Sequence, residues 1–207
     1  MTELHLPRVP KRPCYGRRRN PYVHFHVVLK SLIALARVSM LAVNVGVGDG
    51  RETCLLAELM KPNTVRGIDE NVLKLRHLST FAIGRDMRLR RGVLGVEDAN
   101  ATATRPRTHR LDTLLTGKGK WWLHLEQPLG VLLVNRINGS AINVFRGGMQ
   151  AIRRDRPIIA VRVDDADVAL LLENEKFKRY EILENSTVST TLYIPAEETQ
   201  MKALLSG

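Results

Sequence analysis

One segment constrains the fold more than any other, because it places a glycine-rich turn between a strand and a helix. Residues 40–45 form a short apolar run, which is typical of a strand buried on both faces of a parallel sheet. Gly46, Gly48 and Gly50 follow, and glycines let the backbone turn sharply and approach a ligand closely. After a stripe of leucines at helical spacing, residues 65–69 predict a second strand. The segment therefore predicts strand, loop, helix and strand.

The rest of the chain continues this alternation, which is the sequence signature of a parallel sheet with right-handed crossovers. Apolar runs predict further strands over 89–96, 131–134 and 158–161, and periodic stripes predict helices over 22–37, 55–60, 72–78, 141–152 and 168–172. Residues 97–110 are expected to form a loop, and two strand-like runs, 179–183 and 189–194, predict a terminal hairpin. The sequence thus predicts an α/β fold.

Length and composition favour one domain preceded by a basic arm. The chain has 207 residues, which fits a single domain with a tail. Residues 1–22 contain four prolines and the triplet Arg17, Arg18 and Arg19, so we expect an extended arm there and the domain over 23–207. A solvated, irregular tail is the alternative.

The two cysteines predict no disulfide framework, which favours a reducing compartment, the cytosol or an organelle matrix such as the mitochondrial one.

The charge balance favours a polyanionic partner. Lysines and arginines number 32 against 21 acids, which leaves a net charge of +11. Such a surplus suits RNA or an anionic membrane surface, although a basic protein with solvated faces is equally consistent with it. The candidate RNA contacts are the three arginines of the arm together with Lys118, Lys120 and Trp121, because aromatic residues flanked by cations suit single-stranded nucleic acid. Half-buried packing of the indoles of Trp121 and Trp122 is the alternative.

The sequence predicts neither a membrane span nor a metal site. The apolar stretch 23–45 is interrupted by Lys30 and Arg37, so it does not predict a membrane span. His24 and His26 lack a neighbouring cysteine or acid cluster, so they do not predict a metal site.

The spacing of the glycines distinguishes between nucleotide cofactors. The dinucleotide fingerprint Gly-x-Gly-x-x-Gly would place its third glycine at position 51, where this chain has Arg51. Asp69 ends the second strand about 20 residues beyond the glycines, where an acid accepts hydrogen bonds from ribose hydroxyls. The alternatives are that the glycines form a tight turn and nothing more, and that Asp69 caps the next helix.

Further motifs follow the glycine loop: Asp69-Glu70-Asn71, Leu111-Asp112-Thr113-Leu114-Leu115, the stretch 134–147 ending in Gly147, and Arg156-Pro157. The Gly-x-Gly-x-Gly form resembles motif I of S-adenosylmethionine methyltransferases, and with these motifs residues 40–165 resemble the FkbM-type family. The resemblance implies a Rossmann-like class I methyltransferase fold with a C-terminal antiparallel hairpin. It also implies S-adenosylmethionine as the cofactor, held by Gly46, Gly48, Gly50 and Asp69, with Asp98 near the adenine unless that acid belongs to a polar loop.

The chain departs from the family pattern at its acids. Arg136 stands where the family has Asp, Asn138 and Ala141 stand where it has Glu, and Asn44 replaces the motif I acid. Replacing an acid by a cation inverts the local field, so a group that positions a substrate or accepts a proton would no longer act in the same way. Two functions follow as hypotheses: an S-adenosylmethionine-dependent methyltransferase, and a catalytically degenerate fold that serves as an RNA-contacting subunit of a large ribonucleoprotein such as a mitochondrial ribosome.

Overall fold

The computed structural model describes residues 40–60, 64–82, 87–102, 107–115, 127–135, 137, 140–162, 165–184 and 187–197. The strands are β1 (Leu41–Val45), β2 (Val65–Asp69), β3 (Met87–Arg91), β4 (Val93–Leu94), β5 (Thr108–His109), β6 (Leu129–Val134), β7 (Ile158–Val161), β8 (Phe177–Glu184) and β9 (Thr187–Pro195). The helices are α1 (Arg51–Leu59), α2 (Val72–Ala82), α3 (Leu111–Leu115), α4 (Ala141–Gly147), α5 (Met149–Asp155) and α6 (Ala166–Asn174). In this part of the chain no helix has the length and apolar character needed to cross a membrane. The predicted arm, the predicted helix over 22–37 and the candidate RNA contacts at Lys118, Lys120 and Trp121 lie outside the described residues.

A seven-stranded sheet in the order β3-β2-β1-β6-β7-β9-β8 organises the fold. The five neighbouring strands β3, β2, β1, β6 and β7 run parallel, and β9 pairs antiparallel with both β7 and β8. The predicted α/β fold with a mainly parallel sheet and a C-terminal antiparallel hairpin is therefore confirmed. Because the chain moves from β1 to β2 in one direction and later returns to β6 on the other side, the strand order reverses between β1 and β6.

The apolar runs form the central strands because helices cover both faces of the sheet. All residues of β1, β2, β6 and β7 are buried. Neighbouring residues of β6 point to opposite faces: Leu132 packs in the cluster that contains Phe145 of α4, and Leu133 packs in the cluster that contains Leu55 of α1. The core therefore consists of two apolar layers, one on each side of the sheet.

The predicted strand over 89–96 and the predicted loop over 97–110 are wrong in part. The strand β3 ends at Arg91, and β4 leaves the main sheet to pair in parallel with β5. Gly92 permits this change of partner, because a Cβ atom at that position would lie 3.0 Å from His109 Cδ2 and 3.2 Å from the Arg107 carbonyl oxygen. A short two-stranded sheet therefore stands beside the carboxyl ends of β2 and β3.

The single helix predicted over 141–152 is interrupted. Gly148 separates α4 from α5 and has backbone angles outside the helical region, φ −116° and ψ 8°. A Cβ atom at Gly148 would lie 2.7 Å from Leu111 Cδ2, so α3 packs closely against the interruption. The periodicity indicated helix on both sides of this break correctly and gave no sign of the break itself.

Candidate functional site

A cavity of about 330 Å³ lies at the carboxyl ends of β1 and β2, beside the point where the strand order reverses. Open α/β sheets bind their ligands at this place, and small-molecule sites measure roughly 300 to 1,000 Å³. Its lining includes Gly46, Asp69, Asn71, Lys74 and Ile137, together with residues 92–94. The structure therefore brings one predicted glycine and the predicted acid into a single cavity.

The three glycines of the loop all have left-handed backbone angles, with φ of 73° at Gly46, 58° at Gly48 and 86° at Gly50. Side chains with a Cβ atom rarely adopt such angles, which explains the choice of residue. Gly50 also lets α1 begin against α2, because a Cβ atom there would lie 2.6 Å from Leu78 Cδ1. Of the three, Gly46 lines the cavity, whereas Gly48 and Gly50 shape the turn. Direct cofactor contacts of Gly48 and Gly50 stay predictions.

Asp69 keeps one carboxylate oxygen available to the cavity. Its Oδ1 accepts a hydrogen bond from the Asn71 backbone N–H at 2.8 Å, and in the described part of the chain its Oδ2 accepts none. The cap of α2 comes instead from Asn71, whose Oδ1 accepts from the N–H groups of Leu73 at 2.9 Å and Lys74 at 3.3 Å. Asp69 is thus not the direct cap of this helix, and its second oxygen can accept a hydrogen bond from a ligand.

A neutral amide network holds the first glycine in place. Asn135, which follows β6, donates from Nδ2 to Asn44 Oδ1 at 3.0 Å and to the Gly46 carbonyl oxygen at 2.8 Å. Asn44 is completely buried and donates in turn to Thr53 Oγ1 at 2.7 Å. The residue at the motif I acid position therefore joins β1, β6 and α1 and does not line the cavity.

Asn135 was not among the predicted site residues, although its position carried a signal. A polar residue directly after a buried strand that pairs with β1 must lie at the ligand-binding edge of the sheet. Its side-chain Oδ1 is buried and has no hydrogen-bond partner among the described residues. This oxygen is a second acceptor beside the glycine loop.

Asp98 does not line the cavity; its carboxylate binds the start of α3. The Oδ1 atom accepts from the Arg110 backbone N–H at 3.0 Å, and Oδ2 accepts from Thr113 Oγ1 at 2.7 Å. Burial opposes ionisation, yet the bonds from Thr113 and Arg110 and the nearby charges of His109 and Arg110 together lower the pKa of Asp98. Because both oxygens already have donors, contact with an adenine stays a prediction for this residue.

The acid positions of the family pattern are occupied differently where the structure describes them. Ala141 begins α4 and is 1% exposed within the apolar cluster on that face of the sheet, so this position contributes packing. Arg136 and Asn138 lie outside the described residues. A partly buried ion pair joins α1 to the end of β7: Arg162 Nη1, after β7, lies 2.6 Å from Glu52 Oε1 in α1. The sequence analysis did not identify this pair, because its members are 110 residues apart.

His109 is a buried imidazole held next to two cations. It packs against Gly92 in the β4–β5 sheet, and burial first, then the charges of Arg90 and Arg107, lower its pKa to about 4. Asp98 Oδ1, 3.9 Å from His109 Nδ1, offsets part of this effect. His109 takes up a proton near pH 6.5 in the unfolded chain and near pH 4 in the folded chain. Its contribution to folding stability is therefore complete above pH 6.5 and decreases as the pH falls toward 4.

We expect replacement of His109 by glutamine to remove this part of the pH dependence. Between pH 7 and pH 5 the linkage amounts to about 2 kcal/mol of unfolding free energy, which the wild type loses and His109→Gln does not. Urea unfolding followed by circular dichroism at both pH values measures the difference. His77→Gln, which removes an exposed imidazole from α2, is the control and should keep the wild-type slope. Equal slopes for wild type and His109→Gln would contradict the expectation.

The strand order, the terminal antiparallel hairpin and the glycine loop followed by an acid define the class I methyltransferase fold. Solved structures agree. The FkbM methyltransferase from Methylobacillus flagellatus matches with a TM-score of 0.59 and 14% identity over 76% of this chain, which spans 44% of the length of that protein. A rRNA methylase from Streptococcus thermophilus matches with a TM-score of 0.50 and 14% identity, covering 86% of this chain and 96% of that one.

A third similar structure contains a ligand. It is a Streptococcus mutans protein, assigned as a methyltransferase and solved in complex with SAH, with a TM-score of 0.50 and 14% identity over 84% of this chain and 96% of that one. No protein-family model and no curated protein matches the sequence. At such identities the similarity shows the class I methyltransferase fold, as the resemblance of the motifs implied.

Proposed function

We propose that this chain binds S-adenosylmethionine in the cavity at the ends of β1 and β2 and acts as a methyltransferase of the FkbM type. One observation carries the proposal: in a class I methyltransferase fold, Gly46 and Asp69 line the same cavity at the reversal of strand order. The S. mutans structure with SAH supports this choice of ligand. When bound, the cofactor supplies the methyl group for an acceptor still to be identified.

Two residues of the cavity lining fit the ribose part of this cofactor. Asp69 Oδ2 is an acceptor suited to ribose hydroxyls, and Gly46 has no side chain to prevent close approach of a ligand to the backbone. Asn135, which does not line the cavity, supports the loop from behind, because its Nδ2 donates to the Gly46 carbonyl oxygen. Asn44 donates to Thr53 Oγ1 and does not line the cavity, so it has no direct contact with a ligand there.

We expect Asp69→Asn to weaken S-adenosylmethionine binding about tenfold or more. A hydrogen bond to a charged group contributes roughly 1.5 to 3 kcal/mol, and the substitution removes the charge while keeping the Oδ1 acceptor for Asn71. Isothermal titration calorimetry measures the affinity. The matched control is Glu173→Gln, which removes an exposed carboxylate from α6, a helix that does not line the cavity, and it should bind like the wild type.

Two calorimetric results would contradict the proposal. A folded wild type that gives no heat with S-adenosylmethionine would exclude the cofactor. Equal affinities for wild type and Asp69→Asn would place the cofactor elsewhere. In both cases the thermal unfolding curve, recorded on the same sample, establishes that the protein was folded.

The second candidate function is a structural, RNA-contacting role in a ribonucleoprotein such as a mitochondrial ribosome, without methyl transfer. The net charge of +11 and the buried Ala141 at a family acid position favour it. A protein in this role would bind RNA in a salt-dependent manner and transfer no methyl group from labelled S-adenosylmethionine to RNA or to small acceptors. Measured transfer of a methyl group to any acceptor would exclude the purely structural role and support the methyltransferase. Either role is compatible with the cytosol or an organelle matrix.

A further inference from the structure

Four arginines come together at the β3 edge of the sheet. Arg66 and Arg88 are partners in the register between β2 and β3, so their side chains lie on the same face, and Arg90 follows on that face two residues later. Arg107 is brought to this edge by the β4–β5 pairing, in which the Val93 N–H donates to the Arg107 carbonyl oxygen at 3.1 Å. We call Arg66, Arg88, Arg90 and Arg107 the arginine face.

The cations of the arginine face repel one another. Burial and the charge of Arg88 lower the pKa of Arg66 to about 10. Burial and the charge of Arg107 lower the pKa of Arg90, against the opposing effect of Asp98. The chain concentrates charge here, because residues 87–110 carry six arginines and two carboxylates. Like charges at close range destabilise a fold, and an anion bound between these arginines would offset their repulsion.

Asp98, whose charge acts on Arg90, is held by other residues. Both oxygens of Asp98 already accept hydrogen bonds from Arg110 and Thr113. Arg90 Nη1 is buried and has no hydrogen-bond partner in the described ranges, and the same holds for Nε2 of the adjoining His109. Arg88 and Arg107 are exposed and Arg90 is half-buried, so ligands in solution can reach them. The patch therefore has donors that an anion could engage.

We propose that the arginine face binds the phosphate backbone of single-stranded RNA. Arg88 and Arg90 are two residues apart on the terminal strand of the sheet, about 6.6 Å along it, and Arg107 extends the row to the neighbouring pair of strands. A row of cations suits successive phosphates better than one isolated anion, and guanidinium groups bind phosphate oxygens in pairs. The face lies outside the cofactor cavity, so RNA binding there does not depend on methyl transfer.

The test compares two double variants that lose the same charge. Arg88→Gln with Arg107→Gln removes two cations of the arginine face, and Lys178→Gln with Arg179→Gln removes two from β8, the opposite terminal strand. Fluorescence anisotropy with a labelled single-stranded RNA measures affinity over a salt series. The first variant should bind about tenfold more weakly at low salt. Its slope of log K against log salt should be shallower by about 1.4, since each phosphate contact in a single strand contributes about 0.7. The β8 variant should keep the wild-type slope.

Several outcomes would overturn the proposal. Equal weakening in both double variants would mean that total charge and not this surface attracts RNA. If the wild type showed no salt-dependent RNA binding, RNA would be excluded as the ligand of the arginine face. Full competition by inorganic phosphate at the same phosphate concentration would indicate a single-anion site. Binding to phosphatidylserine vesicles through these arginines, without RNA binding, would indicate a membrane surface.

Failure of this proposal and failure of the proposed function are separable. Neither Arg88 nor Arg107 belongs to the lining of the cofactor cavity. Calorimetry of the wild type with S-adenosylmethionine tests the cofactor alone, and thermal unfolding of both double variants establishes that they are folded. RNA binding lost in the first variant alone, with its unfolding curve unchanged, supports the arginine face whichever result the cofactor titration gives.

Discussion

Replacement of Gly147 by alanine is expected to destabilise the fold by about 3 kcal/mol, near the upper end of the cost of overpacking. A Cβ atom at Gly147 would lie 2.0 Å from the Gly95 carbonyl oxygen and 3.0 Å from the Gly95 carbonyl carbon. Both are backbone atoms, so no side chain can rotate to relieve the contact, and α4 or the segment after β4 must move. The gain in helix propensity from glycine to alanine, about 1 kcal/mol, offsets a minor part of this cost.

Urea unfolding measures the loss, and Arg146→Ala is the matched control. Arg146 is exposed and precedes Gly147 on the same helix, so its replacement should change the unfolding free energy by no more than about 0.5 kcal/mol. The effect should also reach the cavity, because Val93 and Leu94 line it and lie directly before Gly95. An unfolding midpoint for Gly147→Ala equal to that of the wild type would show that the close contact between α4 and Gly95 is absent.

Gly147 also shows what a sequence motif can and cannot reveal. The motif resemblance aligned this glycine with a family pattern, and the contact with Gly95 supplies the physical reason for it. The central strands were predictable because apolar runs of four to six residues, bounded by turn residues, are too short for a buried helix and suit a sheet covered on both faces. The glycine loop and Asp69 were predictable because the strand that precedes each of them fixes its position at one edge of the sheet.

Contacts between distant segments account for the parts that the sequence did not predict. The pairing of β4 with β5 depends on the absence of a side chain at Gly92, which a propensity argument does not weigh against a residue as far away as His109. The bond from Asn135 to Asn44 and the ion pair between Glu52 and Arg162 each join residues about 90 or more positions apart. Nothing local to either residue indicates its partner.

The Leu-Asp-x-Leu-Leu motif gives the second large effect: Asp112→Ala should destabilise the fold by about 3 kcal/mol. The leucines Leu111, Leu114 and Leu115 are buried in the core, and the Asp112 carboxylate, also buried, caps a different helix. Its Oδ1 accepts from the Ala151 N–H at 2.9 Å, and its Oδ2 accepts from the Gln150 N–H at 3.2 Å, both in the first turn of α5. Gly148, which precedes that turn, has no side chain to cap it.

Loss of the Asp112 carboxylate leaves two N–H groups of α5 without their acceptor, and hydrogen bonds to a charged group contribute roughly 1.5 to 3 kcal/mol. Asp112→Asn keeps one acceptor oxygen, so it should lose only about half as much unfolding free energy as Asp112→Ala. Asp167→Asn on α6 is the control, because that carboxylate is exposed and its replacement should shift the thermal midpoint little. Equal midpoints for Asp112→Ala and Asp167→Asn would show that the motif serves a purpose other than joining α3 to α5. A thermal midpoint that is lowest for Asp112→Ala and intermediate for Asp112→Asn would show that the motif joins α3 to α5 at the break at Gly148.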